Sequence, residues 1–221
     1  MLDYDIFTFL NQLKQNNNRE WFKKNKLLHD LSRKKIVALS EKLFDLLKVD
    51  NQLDKFKIFR IYRDVRFSKN KTPYKNHFGI AFHRKKPEFR GGYYLHFEPE
   101  NSFIATGFWK PNKDDLLRIR KEIECDHIYF KDVIKHQDLV GKWNSLTGDQ
   151  LKTAPKGFER DHPGIELLRF KQFIYLKKIK DKDIFSESFS PWVVDQFKAA
   201  KPFVNYMGNV LTTDLNGESI L

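Results

Sequence analysis

The chain has 221 residues, of which 40% are hydrophobic and 15% aromatic, with 21 Phe, so global disorder is excluded despite 32% charged residues. Lys and Arg outnumber Asp and Glu by 41 to 29, a net charge of +12 that favours polyanions or acidic surfaces and does not specify a fold. A single cysteine, Cys125, excludes an internal disulfide and a cysteine-based metal or redox pair.

At this length one domain spanning residues 1–221 is expected. The start, MLDYDIFTFL, carries acidic residues where a signal peptide is positive. No run approaches the roughly 18 consecutive apolar residues of a spanning helix. A cytoplasmic location without membrane association is expected.

Ile6, Phe9, Leu10 and Leu13 fall at helical spacing and predict a short first helix that ends in the turn Asn16 to Asn18. A second helix is expected from Trp21 and Phe22 to about Lys48, with Leu28, Leu31, Leu39, Leu43 and Leu46 as its apolar stripe. From Phe56 the period becomes two: Phe59, Ile61, Val65 and Phe67 alternate with Arg60, Tyr62, Asp64 and Arg66, which predicts a strand with Arg63 on its apolar face. Phe78, Ile80 and Phe82 against His77 and His83 predict another strand. Gly91-Gly92 opens GYYLHFEP, and a turn at Glu98 to Asn101 leads into SFIATGFW. These segments read as an antiparallel β meander.

Asn112 is a candidate N-cap for a helix that shows Leu116, Ile119 and Ile123 on one face. A further helix is expected over Ile128 to His136, and a short one starts near Asp161-His162-Pro163 and ends near Arg169. The stretch QFIYLKKI reads as a strand. Ser190-Pro191 starts the last helical region, which Pro202 either kinks or divides in two. Helices at both ends with a central antiparallel meander give an α+β fold.

The segment Arg60-x-x-Arg63-Asp64-x-Arg66-Phe67-x-x-Asn70-Lys71-x-x-Tyr74 resembles the signature of a bacterial family known as domain of unknown function 2461. NNREWF at 17–22, TPYKNHFG at 72–79, GYYLHFEP at 92–99 and APKGFERDHP at 154–163 extend the resemblance over nearly the whole chain. Asn70 stands where such proteins otherwise carry Asp, so no base is available at that position. The resemblance implies no activity, cofactor or partner.

Between Arg60 and Arg90 ten Lys and Arg face only Asp64 and Glu88, so eight of the twelve excess charges lie there. Packing that much like charge together is unfavourable unless carboxylates or a bound anion neutralise it. The first functional expectation is an anion site formed by Arg60, Arg63, Arg66, Lys71, Tyr74 and Lys75, for a phosphorylated small molecule or another anionic ligand. In the opposing reading Arg63 makes a structural ion pair and the lysines form a solvated face.

Tyr62, Phe67, Tyr74, Phe78 and Phe89 interleave with the basic residues, which keeps non-specific nucleic-acid binding open, although no helix-turn-helix, zinc-finger or RNP pattern is present. An enzyme acting on an anionic substrate is the alternative from another class, with Asp64, His77 or His96 as acid or base. His96 and Glu98, two apart on a strand, share a face with Tyr94, so a carboxylate can orient the imidazole. Asp161-His162 is a further option. A structural or partner-binding module is the third class. No cofactor motif appears, the histidine and carboxylate spacings match no metal pattern, and no metal is expected. The oligomeric state is left open.

Overall fold

The computed structural model describes residues 2–221. Its elements in chain order are α1 (Asp5–Gln15), α2 (Arg19–Lys24), α3 (Lys26–Leu47), β1 (Leu53–Ile58), β2 (Phe78–Arg84), β3 (Gly92–Phe97), β4 (Phe103–Phe108), α4 (Lys113–Cys125), α5 (His127–Ile134), α6 (Gln137–Lys142), α7 (Ile165–Leu168), β5 (Phe173–Lys178), α8 (Asp181–Ile184) and α9 (Phe189–Val210). All strand pairs are antiparallel, and the order β1-β2-β3-β4-β5 is a meander. The fold is α+β, with helices from both chain ends against the sheet. Among the described residues no helix is long and apolar enough to cross a membrane.

Side chains alternate across a sheet, and here the two faces differ. Phe78, Ile80, Phe82, Tyr93, Leu95, Phe97, Ile104, Phe108, Phe173 and Tyr175 are buried on one face. They pack with α1, α3 and α9 through Ile6, Leu10, Ile36, Leu43, Phe197, Phe203 and Met207. Each such side chain contributes roughly 1.5–3 kcal/mol by leaving water. The opposite face carries Gly79, Ala81, His83, Tyr94, His96, Phe103, Ala105, Gly107 and Ile174, as the register requires.

Arg84 lies on the helical face and is buried with no carboxylate partner among the described residues. Burial lowers its pKa. Its guanidinium donates to the Asn51 carbonyl and the Arg90 carbonyl, both at 3.1 Å, and to Asn205 Oδ1. One side chain therefore ties the α3–β1 turn, the β2–β3 loop and α9 together, with dipoles in place of a counter-ion.

Four expectations change. The predicted second helix is two: the chain breaks at Asn25, and the buried face of α3 is Ile36, Leu39, Leu43 and Leu47. Leu28, Leu31 and Leu46 are exposed because they lie to one side of that buried stripe. Pro202 does not divide the last helix, since its ring is exposed while Phe203, Val204 and Met207 anchor α9 in the core. Short α6 and α8 carry no periodic signal and were not foreseen.

The fourth correction bears on the signature. The strand expected over Phe56 to Phe67 ends at Ile58; one further bond to β2, Phe59 N to Gly79 O at 2.9 Å, follows before the ladder stops. Residues 59–77 form a loop that folds back on itself through Arg63 N to Pro73 O (2.8 Å), Lys75 N to Ile61 O (2.7 Å) and a bridge between Tyr62 and Tyr74. Of the alternating residues Ile61 is buried in the core, whereas Phe59 is 37% and Phe67 97% exposed, so the alternation does not mark one continuous core face. Asn17 holds the loop from outside: its amide oxygen accepts from Tyr74 N and its amide nitrogen donates to Tyr74 O, both at 3.0 Å. NNREWF and the signature are thereby one contact. Asn17→Ala strips both partners from a part-buried peptide and is expected to cost about 1–3 kcal/mol in urea unfolding, with loss of amide-exchange protection at Tyr74. Asn16→Ala, which removes an exposed bond to Gln12 O, is expected to leave both nearly unchanged.

Candidate functional site

The uncovered face of the sheet forms the floor of a cavity of about 870 Å³. Phe59 and Lys75 from the signature loop form one wall, Lys86, Arg90 and Gly91 from the β2–β3 loop another, and Trp109 to Asn112 after β4 a third. Ala81, Tyr94, His96, Phe103, Ala105 and Gly107 line the floor. Gly107 has φ +119, a conformation suited to glycine, and a Cβ there would collide with the Phe173 carbonyl. Aromatic rings dominate the lining: Tyr94 lies 5.8 Å from Phe103 and 6.1 Å from Phe59, and the His96 ring stacks on Phe103 at 4.5 Å.

The polar chemistry gathers where β2 begins and β3 ends. His77, one residue before β2, faces Glu98, one residue after β3, by continuation of the register that pairs Phe78 with Phe97. His96 is two residues before Glu98 on the same face and diagonal to His77, and its ring lies 4.2 Å from that of His77. His96 Nε2 is 3.2 Å from Glu98 Oε2, and the Tyr94 hydroxyl is 3.1 Å from His96 Nδ1. Asn76 donates to Glu98 Oε1 at 2.6 Å. Ser102 fixes the backbone of Glu98: its hydroxyl accepts from Glu98 N at 3.1 Å and donates to Glu98 O at 2.9 Å. Gly79 gives Tyr94 its position, because a Cβ there would meet the Tyr94 hydroxyl.

Burial pushes the pKa of His77 down to about 3, with further lowering from His96, Lys75 and Arg63. Burial also lowers that of His96, against the raising effect of Glu98. Lys75 is lowered by burial, then by Arg60 and Arg63. Burial thus favours the neutral form of both imidazoles, which sit beside Glu98 and Lys75. One ligand atom from each of His77, His96 and Glu98 lies within 4.8 Å of the others, a geometry open to a metal ion. Their sequence spacing matches no metal pattern; the strand pairing brings them together.

The predicted anion residues do not converge as one set. Lys75 lines the cavity, its Nζ 5.6 Å from the centre of the Phe59 ring. Arg63 lies close enough to depress His77 and Lys75, while its guanidinium donates to Tyr74 O at 3.4 Å and its Nε is buried with no partner among the described residues. Arg60 is exposed beside Asp64. Arg66 and Asp64 pair with each other in solvent at 2.8 Å, and Lys71 staples the loop through Val65 O at 3.0 Å. Tyr74 is buried and stacks on Phe22 at 4.0 Å.

Of the acid-base candidates, His77 and His96 meet and Asp64 lies apart on the exposed loop, where the hydrogen bonds of Arg66 hold its pKa down. Asp161-His162 is remote from the cavity lining: His162 Nδ1 accepts from Gly164 N at 2.9 Å. Trp109 is 62% exposed at the rim, whereas Trp21 packs against the core. Asn76, Gly79, Phe59 and Phe103 were not foreseen as site residues. Only the period-two alternation, which puts residue 79 on the face of 77, marked one of them in the sequence.

A histidine whose folded pKa lies below its unfolded value stays neutral while the unfolded chain takes up protons. His77 therefore contributes stability that is complete above about pH 6.5 and is lost as pH falls toward 3. Metal-stripped protein should show a lower urea midpoint at pH 4.5 than at pH 7, and His77→Asn should flatten that dependence.

No curated protein and no solved structure matches the chain. A family model described as conserved hypothetical protein (DUF2461) matches residues 5–206. That match takes in the signature loop, the whole sheet and most of α9, and the chain belongs to this family.

Proposed function

We propose that the protein binds a small organic anion, phosphate- or carboxylate-bearing, in the cleft on the open face of the sheet. The anionic group lies against Lys75, and the apolar body lies against Phe59, Tyr94, Phe103 and Trp109. One observation carries this reading: a cavity of about 870 Å³ combines an aromatic lining with cations that have no acidic partner. The size falls in the range of small-molecule sites, which are mostly apolar with a few convergent polar groups. Arg90 is neutralised by Asp115 at 2.5 Å. Lys75, Lys86 and Lys110 line the same space and make no ion pair among the described residues.

Catalysis on that ligand is a second reading, favoured by the His96–Glu98 contact beside His77 in the cavity wall. His96, which contacts Glu98, is the group placed for proton transfer, whereas His77, held down to about 3, is a weak base at neutral pH. Nucleic-acid binding draws less support, because Tyr74 and Phe78 are core residues, which leaves Tyr62 and Phe67 as the exposed rings of that segment.

Phenyl phosphate, benzoate and inorganic phosphate titrated into metal-stripped protein test the reading by thermal shift and calorimetry. At least one aryl anion should raise Tm with saturation. Lys75→Ala should weaken that binding at least about tenfold, the scale of a lost charge-assisted hydrogen bond, and Arg66→Ala should leave it unchanged. No saturable binding of any of the three, or an equal loss in Arg66→Ala, overturns it.

A further inference from the structure

We propose that His77, His96 and Glu98 form a binding site for a zinc-type divalent cation, with its open coordination side facing the cleft. The inference stands apart from the anionic-ligand reading, because the ion binds with the cleft otherwise empty.

The geometry of the donors comes first. The 3.2 Å between His96 Nε2 and Glu98 Oε2 matches the roughly 3.4 Å between two ligands that each lie about 2.1 Å from a tetrahedral ion. His77 supplies the third donor, and all three ligand atoms lie within 4.8 Å of one another.

The groups behind the donors point the same way independently. A metal-binding histidine normally engages its other ring nitrogen, and a ligating carboxylate its other oxygen, in bonds that fix their orientation. Here Tyr94 holds His96 Nδ1 and Asn76 holds Glu98 Oε1. Both bonds leave the remaining ligand atoms, His96 Nε2 and Glu98 Oε2, next to each other at 3.2 Å. Gly79 leaves room for the Tyr94 hydroxyl, and Ser102 holds the Glu98 backbone on both sides. A histidine–glutamate pair that only braces a sheet end needs neither Asn76 nor the His77 ring at 4.2 Å.

Two imidazoles and one carboxylate are borderline ligands of the kind zinc accepts, and three protein ligands leave a fourth position for water or a substrate group. His77 and His96 line the cavity, so that position opens into it. Lys75 lines the same cavity, and its charge disfavours a bare cation and favours an anion as the fourth ligand.

Isothermal titration of ZnCl2 into the stripped full chain, in buffer without phosphate or carboxylate, tests the site. The expected result is one ion per chain. His77→Ala and His96→Ala should each weaken binding at least about a hundredfold, and Tyr94→Phe and Asn76→Ala by about 10–100-fold at unchanged stoichiometry. His136→Ala, at an exposed histidine, should have no effect. Tyr94→Phe keeps the ring, so it decides the matter if a histidine variant does not fold. Cobalt(II) substitution should give visible bands of a tetrahedral site that disappear in Glu98→Gln. Absence of stoichiometric zinc in the wild type, or equal binding by wild type, His96→Ala and Tyr94→Phe, overturns the proposal. Failure of phenyl phosphate to bind leaves it standing, because no anion enters this titration.

Discussion

Five antiparallel strands present two faces, and the helices cover only one. The order of the chain imposes this asymmetry. α1 and α3 precede the sheet and α9 follows it, and all three lie on the face that carries Phe78, Ile80, Phe82, Leu95 and Phe97. Hydrophobic burial on that side holds the sheet together. The other side carries Tyr94, His96, Phe103 and flanking loops, which line the cleft or border it. The cleft exists because of this division.

The signature residues fit the same scheme as architecture. Tyr74 stacks on Phe22, and Asn17 brackets the Tyr74 peptide. Arg66 and Asp64 pair in solvent, where screening leaves such a contact little energetic weight. Holding the loop in this shape delivers Lys75, Asn76 and His77 to the sheet face, and those three reach the cleft or its supporting bonds. The run of arginines drew attention to the segment, but the working positions follow it.

Much of the fold was legible, because period-two alternation marks a strand that is buried on one side. Phe78 to Phe82, GYYLHFEP and SFIATGFW each read correctly, as did the Asn112 cap, which accepts from Asp115 N. The same rule failed over Phe59 to Phe67, since alternation cannot report whether a partner strand is present. The candidate site was half legible: strand spacing placed His96, Glu98 and Tyr94 together. The approach of His77 depends on strand register, and the roles of Asn76 and Gly79 depend on contacts between loops and side chains that have no local sequence signal.

The most direct measurement of the central claim, that the uncovered sheet face is the working surface, is an anomalous difference map at the zinc absorption edge from crystals grown with zinc. The account predicts a peak in the cleft within about 2.0–2.2 Å of donor atoms of His77, His96 and Glu98, with Tyr94 and Asn76 still bonded behind them. Peaks confined to surface histidines such as His136, with none on the open sheet face, would contradict it.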